Sequence, residues 1–119
     1  MCEKNYNNYI DMPVVPLRGL VVFPEMVLHF DVGRKKSIAA IKEAMKSGSE
    51  IFLVCQKDAS VDDPSIDDIY DIGVVCSVKQ MVKIPNSDNL RVVVKGRTRA
   101  SIAAFVQSRP YLVGSVCVI

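Results

Sequence analysis

The chain contains no tryptophan and a single histidine, His29. Its four cysteines, Cys2, Cys55, Cys76 and Cys117, stand far apart and form no C-x-x-C pair. A zinc site needs three or four Cys, His or carboxylate ligands at close spacing, and no such set is offered. There is no G-x-x-x-x-G-K-[ST] phosphate loop and no G-x-S-x-G elbow that would aim a serine at a base. No apolar run approaches the ~20 residues that span a bilayer. Met1 to Asp11 is polar, without the apolar stretch of a secretory signal. The cysteines are therefore read as reduced thiols of a cytoplasmic protein, three of them in apolar, strand-like runs. A net charge of +2 favours no polyanionic partner. These absences exclude catalysis, a metal centre and a membrane anchor, and they leave a binding module that uses no cofactor.

What is present is one domain's worth of chain: 119 residues, half of them hydrophobic. The strongest signal runs from Ile72 to Ile84. Ile72, Val74, Cys76, Val78, Val82 and Ile84 recur at every second position, and Gln80 alone breaks the row. The alternate row carries Ser77, Lys79, Met81 and Lys83. Period two with β-branched residues predicts a half-buried strand. Pro85-Asn86-Ser87-Asp88-Asn89 is a turn, and Leu90–Val94 is a second strand, so the pair predicts a hairpin.

Elsewhere Pro13–Leu17, with two prolines among β-branched residues, suits an edge strand. Leu20–Phe23 is an apolar run closed by Pro24, and Met26–Val32 alternates again. From Arg34 to Lys46 the period changes: Ile38, Ile41 and Met45 mark an amphipathic helix, and Gly48 is placed to cap its end. Ile51–Cys55 is continuously apolar, as in a strand covered on both faces. Strand, helix and strand in succession could form one crossover unit. Asp58, Asp62, Asp63, Asp67, Asp68 and Asp71 lack the alternate spacing, central glycine and closing glutamate of a calcium loop, and are read as a solvated loop. Lys95–Arg99 is a basic tip or bulge, with Gly96 free to take unusual dihedrals. Ile102–Val106 and Tyr111–Ile119 are further strand-like runs. An apolar end with no polar tail suggests a piece of a longer protein.

Taken together, Pro13-Val14-Val15-Pro16-Leu17-Arg18, Val21-Val22-Phe23-Pro24, Met26-Val27 and Val32-Gly33-Arg34 with Lys36-Ser37 resemble the opening of bacterial Lon proteases. So do Leu53-Val54 with Gln56-Lys57, Asp63-Pro64, Gly73-Val74-Val75, Val92-Val93-Val94 with Gly96, and Arg99-Ala100 with Ile102. The likeness keeps one register through most of the chain. Gly19, Lys35, His29 and Asp31 depart from the usual pattern, and none of them removes a core position. The resemblance implies a mixed α+β, mainly β, PUA-like pseudo-barrel of about six strands with one main helix, over residues 12–119 after a loose lead-in at 1–11. It implies a parent hexamer whose helical, ATPase and Ser-Lys protease modules lie outside this stretch and use ATP and Mg. It also implies that this domain recognises unfolded or damaged polypeptides and helps to organise the subunits.

Candidate substrate contacts are apolar residues that the strand pattern does not easily bury. Val22, Phe23 and Met26 flank a proline turn, Met81 sits on the lysine-bearing row, and Ile84 and Pro85 border the hairpin tip. Arg34, Lys35 and Lys36 are candidates for contact with a neighbouring subunit, because three cations at a helix start oppose its dipole and seek an acidic partner. RNA binding is the competing reading, since Lys79, Lys83, Arg91, Lys95, Arg97 and Arg99 gather on or beside the hairpin. No aromatic lies between Ile72 and Ser101 to stack a base, which speaks against it.

Overall fold

The computed structural model describes residues 9–19, 22–48 and 50–119. Its elements are β1 (Tyr9–Leu17), β2 (Val27–Val32), α1 (Lys35–Ser47), β3 (Ile51–Cys55), β4 (Ile72–Lys83), β5 (Leu90–Gln107) and β6 (Val113–Val118), with a 3-10 turn at Ile66–Asp68. The strands form one sheet in the order β2-β5-β4-β3-β1-β6, and β6 pairs back onto β5. Five strands therefore close into a ring, while β2 extends the sheet beyond it. This is the mainly β, six-stranded, one-helix fold expected from the sequence.

Side-chain alternation sorts the core into two clusters. Val15, Leu17, Ile51, Leu53, Val74, Cys76, Val92 and Val94 face α1 and pack with Ala40, Ile41 and Ala44. Met12, Val14, Phe52, Val54, Val75, Ala100, Ile102 and Val116 fill the ring on the other side. Ile51–Val54 is thus buried on both faces, which is why β3 reads as an unbroken apolar run. β5 is long enough to serve both clusters, with Leu90, Val92 and Val94 in the first and Ala100 and Ile102 in the second.

Two irregularities set its course. Val75 pairs with Thr98 but Cys76 with Gly96, so Arg97 is an extra residue in β5. Val78 pairs with Val94 but Gln80 with Val93, so Lys79 is an extra residue in β4. Lys95–Arg99 is therefore a bulged stretch inside a strand and not a tip. A bulge shifts the alternation by one position. After Lys79 the inward row passes from Val82 to Met81, which is what the break at Gln80 records in the sequence.

β1 is not an edge strand. Tyr9–Pro13 pairs with β6, and Val14–Leu17 pairs in parallel with β3. It begins inside the stretch read as a lead-in. Prolines are tolerated because each half of β1 has a ladder on one side only. The crossover therefore joins β1 to β3, through β2 and α1, whereas β2 and β3 are not neighbours. Helix α1 ends as its sequence predicts: Gly48 takes the left-handed conformation at φ 70° and its N–H donates to the Ala44 carbonyl.

Cys55 and Cys76 are in no disulfide. Burial, and then the Glu50 charge, push the Cys76 thiol up to about 12. Cys117 is disulfide-bonded, so the reading of reduced thiols holds for Cys55 and Cys76 and fails for Cys117. Cys2 lies outside the described residues. No helix among the described residues is long and apolar enough to cross a membrane.

Candidate functional site

The residues named as substrate contacts do not form one patch. Val22 is buried in the cluster under α1, and Met81 packs against the same cluster because the Lys79 bulge turns it inward. The strand pattern was not expected to bury either, yet Val22 is buried and Met81 partly so. Ile84 is half-buried and Pro85 exposed at the hairpin tip. Phe23 and Met26 are 53% and 37% exposed and sit beside Gly96. Gly96 lies six strand positions from Leu90, roughly 20 Å at ~3.4 Å per residue, so the tip is a separate surface.

The two surfaces share one local device. In Phe23-Pro24-Glu25-Met26 the Met26 N–H donates to the Phe23 carbonyl at 3.2 Å, and Glu25 has φ 67°. In Ile84-Pro85-Asn86-Ser87 the Ser87 N–H donates to the Ile84 carbonyl at 3.3 Å, and Asn86 has φ 61°. Proline in the second position and a positive φ in the third match a type II turn, a place normally held by glycine or asparagine. Glu25 takes it because its turn is anchored from outside. Its own N–H donates to the Gly96 carbonyl at 2.9 Å, and the Gly96 N–H donates to the Met26 carbonyl at 2.8 Å. Gly96 is needed there for closeness and not for dihedral freedom, since an added Cβ would overlap the Phe23 carbonyl oxygen.

The turn thus presents Phe23 and Met26 outward, and Val27, 56% exposed, continues the apolar surface. Val27 stands on the row of His29 and Asp31, and an apolar residue on a polar row was the signal that could have found it. Beside the turn lies a polar cleft of about 420 Å³ lined by Glu25, Lys79, Lys95 and Arg97 among others.

The basic triplet is mostly occupied within the chain. The Arg34 guanidinium donates to the Pro16 carbonyl at 2.6 Å and to Gln56 Oε1 at 2.5 Å. Gln56 in turn donates to the carbonyls of Asp58 and Val61, at 3.0 and 2.9 Å. Lys36 Nζ pairs with Asp63 and Arg18 with Asp62, both at 2.8 Å. The acidic loop is therefore the acidic partner of the helix start, and it is held down by Arg34, Gln56 and two ion pairs. Burial lowers the Arg34 pKa, helped by the nearby Arg18 charge. Lys35 alone of the three is exposed.

The Lys36 hydrogen bond is the main reason the Asp63 carboxyl is held below its ordinary 3.8. A depressed carboxylate contributes stability above its unfolded value and loses it as pH falls through the folded one. Acidification below 3.8 should release this end of the loop. Protease cleavage within residues 57–64 should then rise in the native chain, while Lys36→Ala should show the raised cleavage already at neutral pH. Equal cleavage of both proteins at every pH would remove this latch. The exposed pair itself is worth only ~0.2–1 kcal/mol.

Three of the six hairpin cations are likewise engaged: Arg91 pairs with Asp31 at 3.1 Å, Arg97 with Glu50 at 3.2 Å and Lys95 with Glu25 at 3.7 Å. Glu50 Oε2 accepts no well-aligned hydrogen bond, so its link to Arg97 is charge attraction alone.

The apolar turn braced on a bulged strand lies within the stretch that known sequences match. The family model of the ATP-dependent protease La (LON) substrate-binding domain matches residues 11–119. The chain belongs to this family. It is 46% identical to the Lon protease of Syntrophomonas wolfei over 94% of its own length, and 51% identical to that of Desulforamulus reducens over 84%. It spans 14% and 12% of those two proteins. Two solved structures share the fold. The N-terminal domain of a Mycobacterium avium complex Lon protease gives a TM-score of 0.73 at 23% identity, covering 92% of this chain and 55% of that one. The Lon N-terminal domain protein of Xanthomonas campestris gives 0.70 at 15% identity, covering 92% and 59%.

Proposed function

We propose that this domain captures exposed apolar segments of unfolded polypeptides for an ATP-dependent serine protease of the Lon type, through the Phe23–Val27 surface. The observation that carries the reading is Phe23, Met26 and Val27 held outward on a turn that two backbone hydrogen bonds fix to Gly96. A side chain as large as Phe23 at 53% exposure has no role in the fold's own core. Methionine beside it suits a surface that must accept many sequences. The adjacent cleft with Lys79, Lys95 and Arg97 admits carboxylates that flank such segments. One shallow patch grips a disordered chain weakly, because ordering that chain opposes binding.

The parent protein would carry the ATPase and protease modules, with ATP and Mg as its cofactors, in a cytoplasmic hexamer. Six linked copies would then turn weak grips into avidity. Of the triplet proposed for subunit contact, Lys35 is the one exposed member. RNA binding is disfavoured by the intramolecular pairing of Arg91, Lys95 and Arg97.

The test is a titration with dye-labelled, reduced and carboxymethylated α-lactalbumin. Phe23→Ser with Met26→Ser should weaken binding about tenfold, a loss of ~1.4 kcal/mol, and leave the melting temperature within a few degrees. Equal binding by the folded double variant would move the site elsewhere.

A further inference from the structure

We propose that the free edge of β2 is a strand-addition site, on which a captured unfolded segment is bound as an extended strand. This rests on the capture reading above and names the form in which the segment is held.

Among the described residues, β2 is the one strand in the sheet with a single partner. The Gly96 N–H donates to the Met26 carbonyl, and the register runs Val27 to Lys95 through Val32 to Leu90. In an antiparallel ladder, positions alternate between pairs bonded to each other and pairs whose polar groups point away. Leu28, Phe30 and Val32 thus bond to β5. The N–H and C=O groups of Val27, His29 and Asp31 point off the sheet.

Natural sheets guard such edges with lysine, proline or bulges. The sheet has a second open edge, on β4 beyond Cys76, because β3 pairs only with Val74, Val75 and Cys76. That edge carries Lys79, Lys83 and the bulge at Lys79. β2 reads Val-Leu-His-Phe-Asp-Val, without lysine, proline or bulge, and its one charge, Asp31, is paired with Arg91 of the neighbouring strand. One edge is defended and the other is left able to pair.

The surroundings choose the occupant. The C-terminal half of β2 borders a cleft of about 380 Å³ whose opposite wall is Val15–Arg18. That wall cannot complete the sheet itself. The Leu17 carbonyl bonds toward β3 and the Val14 N–H bonds away, to Leu112, so Pro16 is the residue that faces the gap. Proline has no N–H, and the Pro16 carbonyl is taken by Arg34. A slot with one live edge and one blunted wall admits a single extended chain. At its other end β2 begins at Val27, so the strand runs on from the Phe23–Met26 turn. A bound segment would place side chains on that apolar surface and main chain along β2.

The probe is the same carboxymethylated α-lactalbumin, with amide hydrogen exchange of the 119-residue chain as the readout. The amides of Val27, His29 and Asp31 should exchange at least tenfold more slowly in the complex. His29→Pro removes an N–H that points away from β5, and it should weaken binding at least tenfold with the circular dichroism spectrum unchanged. His29→Lys, which adds an edge guard without restricting the backbone, should weaken it less. Binding with all three amides exchanging as before would overturn strand addition and leave capture intact. No binding at all would overturn both. Protection that grows with the concentration of the chain alone would assign the edge to a second copy and overturn the proposal.

Discussion

Gly96→Ala should destabilise the domain by about 2–4 kcal/mol and abolish capture of unfolded protein. The new methyl would overlap the Phe23 carbonyl oxygen, a backbone atom that can retreat only if the whole turn lifts from β5. Overpacking of this kind costs about 1–3 kcal/mol. Lifting the turn also breaks the bonds from Glu25 to Gly96 and from Gly96 to Met26, each worth about 0.5–1.5 kcal/mol. At roughly 4–8 °C per kcal/mol for a domain near this size, the melting temperature should fall by about 10 °C or more. Phe23 and Met26 would lose their fixed placement at the same time. A variant that melts within 2 °C of the wild type, in the sense of about 0.5 kcal/mol or less, would show that the turn does not depend on this contact.

Arg34→Leu should be comparably severe, though Arg34 lies on the surface side of the helix start. Its guanidinium satisfies the Pro16 carbonyl and Gln56 Oε1, and Gln56 is a buried polar side chain. Removing the donor strands that amide oxygen, at about 1–3 kcal/mol for a buried unsatisfied group. The loop that Gln56 holds through the Asp58 and Val61 carbonyls should loosen with it. The expected loss is about 2–4 kcal/mol in chemical denaturation, with faster proteolysis of residues 57–64. Arg34→Lys should rescue only part, because an ammonium cannot reproduce the planar fork that spans both acceptors. Adding Gln56→Leu to Arg34→Leu should recover part of the loss by deleting the stranded acceptor. A loss below about 0.5 kcal/mol for Arg34→Leu, as for an ordinary surface substitution, would mean that water replaces the guanidinium.

These two residues also show what a sequence can and cannot display. Local periodicity was enough for the hairpin up to Val78, for α1 and its Gly48 cap, and for the doubly buried β3. Those signals arise within single elements. Arg34 was read as one of three like charges because its partners, Pro16, Gln56 and Asp62, come from other segments of the chain. The acidic loop and the helix start were each noticed, but nothing local says that they meet. Pro13 and Pro16 pointed to an edge strand, whereas β1 meets the proline rule by changing partners midway. Met81 was misplaced because a bulge leaves only a faint trace, here the single break at Gln80. Of the candidate site, Phe23 and Met26 were legible as apolar residues around a proline. Val27 and the free edge of β2 were not, because edge status depends on the strand order of the whole sheet.

Under the proposed function, the domain holds unfolded polypeptide and ignores the same polypeptide when folded. The most direct measurement is a pair of titrations of the 119-residue chain, one with reduced, carboxymethylated α-lactalbumin and one with the native protein. Saturable binding of the unfolded form is expected at about micromolar affinity or weaker, near 8 kcal/mol or less, and none of the native form. Equal binding of both forms, or none of either at high concentration, would contradict it and leave the domain an architectural part of its parent.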